Sequence, residues 1–572
     1  MKLISIMIMA LLLAGHAAAQ NYMPEFTMEP GADLSMFEGD PGNFEAWGGD
    51  LNNATYVNTS WVRDNATSGI GITVGFTPDC DFVCDGIDDL DTWQDAITYK
   101  KSIGGGNVYV QNGHYDAGTD GHLYGAPGVA LIGETVPRFS DGLIYNTTTE
   151  DAGVVAVDIH NYNSSTITIT SGFQIENIYF RHPEQTHTFG GGEVIEYPAI
   201  IDGITTIEQP ISMSPAVIKN CVCANAWDFI NLTNFTTTND VCISGIRGKA
   251  LHIGIEVDNC GHICRMVDCQ FVPGFGGDEN LTIAEYNYIA NNFTGFKIGE
   301  NICGGLWGCA VWPGYRGFWI TGDNVALYDC MADATQLGLD IDGDFCNVFG
   351  GTYYGFQLVD FYNVTWGEDD IGIQLDGNYN TVIGPAVSSG SSGILITGKN
   401  NTVDAAKIWR HGWKDTIDWT GGITITNDLN IVSNCVIDGV TPMQGTSGIF
   451  QNGGVNNQYI ANRIINQSLA GIWLLDGNSA TIDGCEFLNV AGYDLVITDP
   501  DDCMVYCKTT DIANTGDRNV FNGLSTNSGN PASAGVWNGV TPPPSTRVYD
   551  SSSGTTMYEY VLGVGWKHYT VA

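Results

Sequence analysis

From residue 338 onward, short stretches of alternating apolar and polar residues return under one phrase, approximately Gly-Ile-x-Leu-x-Gly-x-x-Asn-x-Val. It reads GLDIDGDFCNV at Gly338, GIQLDGNYNTV at Gly372, GILITGKNNTV at Gly393, GITITNDLNIV at Gly422, GIFQNGGVNNQ at Gly448 and GIWLLDGNSAT at Gly471. The intervals are 34, 21, 29, 26 and 23 residues. A period of about 20 to 35 residues built on short strands predicts a solenoid, each turn adding one rung of about 4.8 Å to parallel sheets. Asn stands eight places after the glycine at Asn380, Asn401, Asn430 and Asn456, while Asn347 stands nine places after and Ser479 takes the place in the last copy. Asn tolerates the left-handed conformation of a sharp turn, and its amide can hydrogen-bond from coil to coil.

Upstream the phrase is blurred but present at Ile167, Ala216 and Cys260, so one solenoid is predicted from about residue 104 to 515. The stretch before it, CDGIDDLDTWQDAITYKKSIGGGNVYVQNGHY from Cys84, reads as a helix followed by a strand. Trp93, Ala96, Ile97 and Lys100 have helical spacing, and Gly104, Gly105 and Gly106 end the helix. Asp85, Asp88, Asp89 and Asp91 lie before the helix and in its first turn, where acids complement the dipole and cap free N–H groups. That assigns them to structure rather than catalysis.

The organisation expected is residues 1–19 as a signal peptide, 20–78 as an irregular or small β appendage, and 79–515 as cap plus solenoid. A linker over 516–545, containing Pro542-Pro543-Pro544, and a small β module over 546–572 follow. Lys2, the apolar run Leu3 to Ala14 and Ala17-Ala18-Ala19 carry the signal; the run is shorter than the roughly 20 residues that span a bilayer. A secreted or cell-surface chain with 16 cysteines predicts disulfides, with ten cysteines between Cys221 and Cys346 stapling neighbouring coils and Cys80 and Cys84 closing a small loop. Twelve N-x-S/T sequons, at Asn53, Asn58, Asn65, Asn146, Asn163, Asn231, Asn234, Asn280, Asn292, Asn363, Asn400 and Asn466, predict a glycoprotein. The formal charge is −43, from 21 basic and 64 acidic residues; it excludes nucleic acid as a partner and disfavours anionic polysaccharides unless cations bridge the two.

The pattern D-G-x-D-D-x-x-T-W-Q-x-A-I, followed by G-G-G-x-V-x-V-x-x-G-x-Y and by APGVALIGE at Ala126, resembles the N-terminal cap of the pectate-lyase-like superfamily. The resemblance implies an all-β, right-handed parallel β-helix plugged by a capping α-helix, and extends to pectin-degrading enzymes, phage tailspikes, epimerases and surface proteins. The enzyme signatures of that superfamily are incomplete. Glu368-Asp369-Asp370 and Arg410-His411-Gly412 mimic the middle two motifs of polygalacturonases, but the N-T-D and R-I-K motifs are missing, as is the D-P-H-D motif of alginate epimerases.

One constellation follows from the repeat. Glu368 and Asp418 each stand four places before a repeat glycine, which puts them on one face about 10 Å apart. Side chains then bring the carboxyls near the separation of about 6.5–9.5 Å used by inverting glycosidases. Glu368, Asp369, Asp370 and Asp418 are the candidate catalytic acids; Trp366, Trp409, Arg410, His411, Trp413 and Trp419 are the candidate sugar contacts. No cofactor is expected, with calcium left open at Asp340-x-Asp342-Gly-Asp344, where Gly351 stands at the twelfth position that an EF-hand fills with Glu. Cys260-x-His262-x-Cys264 favours disulfides over zinc. The chain is expected to bind extracellular polysaccharide or cell-surface glycan, as a hydrolase or lyase if it cleaves. A non-catalytic structural glycoprotein and a tailspike-like adhesin, trimeric by resemblance, are the alternatives.

Overall fold

The computed structural model describes residues 71–137, 153–161, 163–185, 194–203, 215–233, 240–259, 264–272, 283–300, 304–355, 370–389, 391–411, 421–439, 447–507, 512–514, 519–521, 525–526, 547–550, 556–561 and 565–570. Two long parallel sheets carry the chain, one of 18 strands and one of 26. Each coil gives one short strand to the first sheet, as in Asn347–Phe349 paired to Thr381–Ile383. It gives two strand segments to the second, fused in Val222–Leu232, Arg247–Val257 and Met331–Ile341 into bent strands of 11 residues. This is the right-handed parallel β-helix.

Alternation explains the core. In Asn347–Phe349, Thr381–Ile383 and Thr402–Asp404 only the middle residue is buried, which stacks Val348, Val382 and Val403 in one inward column. A parallel column opposite holds Leu339, Ile373, Ile394, Ile423, Ile449 and Ile472. Burying each such side chain contributes about 1.5–3 kcal/mol. The repeat glycine has a packing cause: a Cβ on Gly393 would lie 2.5 Å from Ile408 Cγ2, and one on Gly422 would lie 2.5 Å from Ile437 Cγ2. The chain passes there too close to the wall for any side chain.

The recurrent Asn resolves into two adjacent roles. Phe345, Tyr379, Asn400, Leu429, Asn456 and Ser479 are left-handed, with φ of 58° to 61°. The residue after each points inward. Asn380, Asn401 and Asn430 accept from the backbone N–H of Cys346, Asn380 and Asn401, and Asn457 accepts from Asn430 N–H, at 2.7–2.8 Å. The ladder therefore ends on Asn457, and Asn456 makes the turn.

The capping helix spans Asp89–Ser102 and buries Trp93, Ala96 and Ile97 against the first coil. Asp89 is buried and accepts from Gly86 N and Asp116 N at 2.9 and 3.0 Å, tying the cap to the solenoid; burial raises its pKa. Asp88 at the N-cap makes no side-chain capping bond. Gly71–Gly75 already pairs in parallel with Gly106–Val110, so the sheet begins before residue 79, and Val520–Phe521 continues it past 515. Arg547–Asp550, Thr556–Val561 and Gly565–Thr570 form an antiparallel module joined by Ser525–Thr526. The signal segment and most of the N-terminal appendage lie outside the described residues, and no described helix is long and apolar enough to cross a membrane.

The disulfide expectation is corrected. All 14 described cysteines, Cys80 and Cys84 included, are free thiols. Cys269, Cys309 and Cys330 stack at one inner corner, where each thiol donates to carbonyls of its own turn and the preceding coil, as Cys309 does to Trp307 O and Met266 O at 3.7 Å. The same corner is filled elsewhere by Ala406 and Asn462, whose coils hydrogen-bond to it identically. Cys269, Cys309 and Cys330 are small inward donors, not staples. Burial pushes Cys221, Cys346 and Cys435 up to about 12.

Candidate functional site

The constellation expected from the repeat is only partly described. Glu368, Asp369, Asp418, Trp366, Trp413 and Trp419 lie outside the described residues. Asp370 is buried, and its backbone oxygen accepts from Ser391 N and Oγ at 3.0 and 2.5 Å. Trp409 is half-buried and meets Tyr354 edge-on at 5.4 Å, while Arg410 is exposed and left-handed at φ 56°. His411 is fully buried, with Nε2 3.0 Å from Gln467 Oε1, and burial lowers its pKa to about 4. The neutral imidazole thus faces the interior and shares no surface with Trp409.

A richer arrangement lies on the second sheet, where outward positions are aligned coil by coil. Asn231, Glu256, Lys297, Trp319, Asp340, Gln374, Leu395 and Thr424 are successive partners in register. Arg316, one strand bend before Trp319, sets its guanidinium 4.2 Å over the indole and its Nε 2.9 Å from Asp340 Oδ2. Lys297 Nζ lies 4.9 Å over the same ring and 2.7 Å from Glu256. The indole N–H donates to Asp342 at 2.9 Å. Gln374 donates to Asp376 at 2.6 Å, and the Thr397 hydroxyl donates to the other oxygen of that carboxylate.

The electrostatics follow from burial. Asp340 is 2% exposed, and its Oδ1 accepts no hydrogen bond. Burial raises its pKa to about 7, opposed by Arg316 and reinforced by Asp342 and Asp376. Asp340 thus titrates around neutrality, beside the solvent-facing side chains of Asp342 and Asp376. Four coils from Asp340 towards the N-terminus, Asp228 Oδ1 accepts from His252 Nδ1 and Ile253 N at 2.8 and 2.9 Å. The His252 ring stacks on Trp227 at 4.7 Å and 13°, and the Asp228 hydrogen bond raises its pKa. Through Ile253 and Thr294, Asp228 stands in register with Arg316.

The calcium question changes with the geometry. Asp344 is drawn away to accept from Asn378 N and Nδ2 at 2.6 and 3.1 Å. Asp340 and Asp342 instead meet Asp376 of the next coil, with oxygens within 4.8 Å of one another. Three carboxylates suit a hard cation in kind, but calcium takes about 6–8 oxygens, and Arg316 already holds one of these. Any ion held there would complete its shell with water.

Five sequons are described: Asn163 and Asn292 are exposed, and Asn231, Asn400 and Asn466 are half-buried. Asn53, Asn58, Asn65, Asn146, Asn234, Asn280 and Asn363 lie outside the described residues. Sequence reasoning missed Trp227, His252, Arg316, Trp319 and Asp376 as site residues. The signal for Trp319 was present: GFWITGDNVAL at Gly317 is a further copy of the repeat, 21 residues before Gly338, and places Trp319 and Asp340 at the same offset.

Residues 372–530 match the family described as "Right handed beta helix region". No curated protein matches the chain. Among solved structures, the chain is similar to the A-module of mannuronan C-5 epimerase AlgE6 of Azotobacter vinelandii, with 14% identity, 71% of this chain and 97% of that one covered, and a TM-score of 0.44. It is also similar to DFA-IIIase of Arthrobacter chlorophenolicus A6, with 11% identity, 76% and 93% covered, and a TM-score of 0.34. Tailspike protein 3 of bacteriophage CBA120 gives 11% identity, 92% and 69% covered, and a TM-score of 0.25.

Proposed function

We propose that this chain is exported and binds extracellular polysaccharide along the outer row from Asp228 to Asp376. The observation that carries the reading is the Arg316–Trp319–Asp340 group with Asp342 and Asp376. It sets an indole, a buried carboxyl that titrates around neutrality and two solvent-facing carboxyl groups on one rigid face. Sugars present hydroxyl donors and acceptors around an apolar ring face, and this set offers partners for both.

Binding is favoured over cleavage on distance. Oxygens of the three carboxyl groups cluster within 4.8 Å of one another, without the gap of about 6.5–9.5 Å that admits a water between the two carboxyls of inverting glycosidases. Calcium enters as a modulating ion at Asp342 and Asp376. The structural-glycoprotein alternative draws on Asn231, a sequon in the same outward line as Glu256, where an attached glycan would cover the row.

A glycan array probed with the mature chain, Trp319→Ala and Asp340→Asn tests the reading, with products followed by mass spectrometry. Binding by the parent chain, lost in Trp319→Ala, is expected. Binding unchanged in both variants, or absent from a broad array, would reject the site.

A further inference from the structure

The position that follows the second strand segment of each coil has a default occupant. Thr321, Asp342, Asp376, Thr397 and Thr426 each stand one place past the last registered pair of successive coils. The three threonines act alike. Each hydroxyl donates to a carbonyl of the coil before it: Ile298 O for Thr321, Leu375 O for Thr397 and Ile396 O for Thr426. A hydroxyl there ties coil to coil. Asp342 and Asp376 depart from that rule. They put two carboxylates side by side, one rung of about 4.8 Å apart, where like charges directly opposite destabilise a sheet.

The protein orients this pair without neutralising it. Asp342 accepts from the Trp319 indole at 2.9 Å, and Asp376 accepts from the Gln374 amide at 2.6 Å and from the Thr397 hydroxyl. All three donors are neutral. Among the described residues neither acid enters an ion pair, because Arg316 is held by Asp340 and Lys297 by Glu256. Asp340 is the second, separate sign of a ligand. It is 2% exposed, Arg316 Nε lies 2.9 Å from its Oδ2, and its Oδ1 accepts no hydrogen bond. Oδ1 is therefore the oxygen that Asp340 has left to offer beside the pair, and a buried acceptor without a donor is destabilising.

Geometry selects the missing group. One oxygen of each acid lies within 4.8 Å of the others. Three such points share a centre no more than about 2.8 Å from each, which is the reach of an N⁺–H···O⁻ bond. A primary ammonium brings three N–H donors to three oxygens. Calcium takes about 6–8 oxygens and would stand near the Arg316 guanidinium with half of its shell, whereas a monovalent ammonium is repelled less. A carboxylated sugar would meet two uncancelled carboxylates and no free cation, and the formal charge of −43 repels it at long range.

We propose that the polysaccharide bound along the Trp319 row is a polymer of amino sugars with free amines, one ammonium of which seats on Asp340, Asp342 and Asp376. This rests on the reading of that row as a polysaccharide site. The row takes the sugar hydroxyls, and the three acids read the charge on the neighbouring carbon. Calcium modulates binding by competing with the amine for Asp342 and Asp376.

The experiment titrates cellohexaose, N-acetylated chitohexaose and the fully deacetylated glucosamine hexamer into the full chain by calorimetry. The three share one backbone and differ only in carrying a hydroxyl, an acetamide or an ammonium. The glucosamine hexamer should bind the parent chain at least about tenfold tighter than cellohexaose. Asp342→Asn/Asp376→Asn should bring the two affinities together, and added calcium should weaken the glucosamine hexamer alone. The Asn pair should melt no lower than the parent, since it removes a like-charge contact, so a lost preference is not misfolding. Asp95→Asn/Asp483→Asn removes two exposed acids away from the row and should keep the preference. Trp319→Ala should weaken all three hexamers. Equal affinity for the three hexamers, a preference that survives in the Asn pair, or one lost equally in the Asp95/Asp483 control overturns the amine seat and leaves the Trp319 row standing. No binding by any hexamer overturns both.

Discussion

The inner corner from residue 346 to 457 and the outer corner from residue 228 to 376 are both columns of polar side chains running along the same rod, and they differ in what is left over. Inside, Asn430 accepts from Asn401 N–H and donates to Gly398 O and Asn427 O. Each polar group of the Asn430 amide is used, so this side chain serves only to hold coil to coil. Outside, Arg316 and Lys297 are consumed by Asp340 and Glu256, while Asp342 and Asp376 keep charge turned to solvent and Asp340 Oδ1 keeps an unfilled acceptor. A polar column that closes on itself is structure; one that leaves oriented groups unspent is available to a ligand.

The comparison is tested most severely from the inside. Asn430→Ala leaves one buried N–H and two carbonyls without their partner, at about 1–3 kcal/mol each, and should cost about 4 kcal/mol in urea unfolding. Cys309→Ala at the other inner corner removes only a weak thiol donor and a small volume, and should cost about 1–2 kcal/mol. Equal losses would remove the distinction between the ladder and the thiol column.

On the outside, Arg316→Leu strands the buried Asp340 carboxylate and should cost about 3 kcal/mol at pH 8, where the acid is ionised. The cost should shrink at pH 5, because there Asp340 holds its proton. Asp340→Asn sharpens the same point. The folded chain retains a proton that the unfolded chain releases near its ordinary pKa, so this group's contribution to stability falls as pH rises from about 4 to about 7. Melting temperatures of the parent and the Asn variant should therefore converge below about pH 4 and separate above it. Parallel pH profiles would show that Asp340 titrates normally.

The smallest effect concerns the thiols. Cys221, Cys346 and Cys435, which burial pushes up to about 12, should resist an aromatic disulfide reagent in the native state at pH 8 and react once the chain is unfolded. Mobility unchanged by reductant would accompany this. A shift on reduction would restore the stapled solenoid.

These columns also mark how far the sequence could be read. The solenoid was legible from Gly338 to Gly471 because the glycine and the ladder Asn are forced by backbone crowding and by buried amides, which admit few substitutes. Upstream the ladder column holds Val325 and Cys346 and the other inner corner holds Cys309 and Cys330, and the pattern dissolves into what resembles a disulfide framework. The site was less legible for a geometric reason. Asp340 was noticed as part of a linear calcium loop, yet its partners Arg316 and Asp376 lie one coil away on either side, at spacings set by loop length rather than by any local period. His411, chosen for its place among tryptophans, points into the core because the strand before it ends in a left-handed turn at Arg410.

Hydroxyl-radical footprinting with and without a binding oligosaccharide tests the central claim most directly, because it reads both regions in one experiment. The account predicts that oxidation of Trp319, Trp227 and His252 falls on binding. Tyr379 and Trp473, which lie on the regular coils, should stay as reactive as in the free chain. Protection of Tyr379 or Trp473 with none at Trp319 would contradict it.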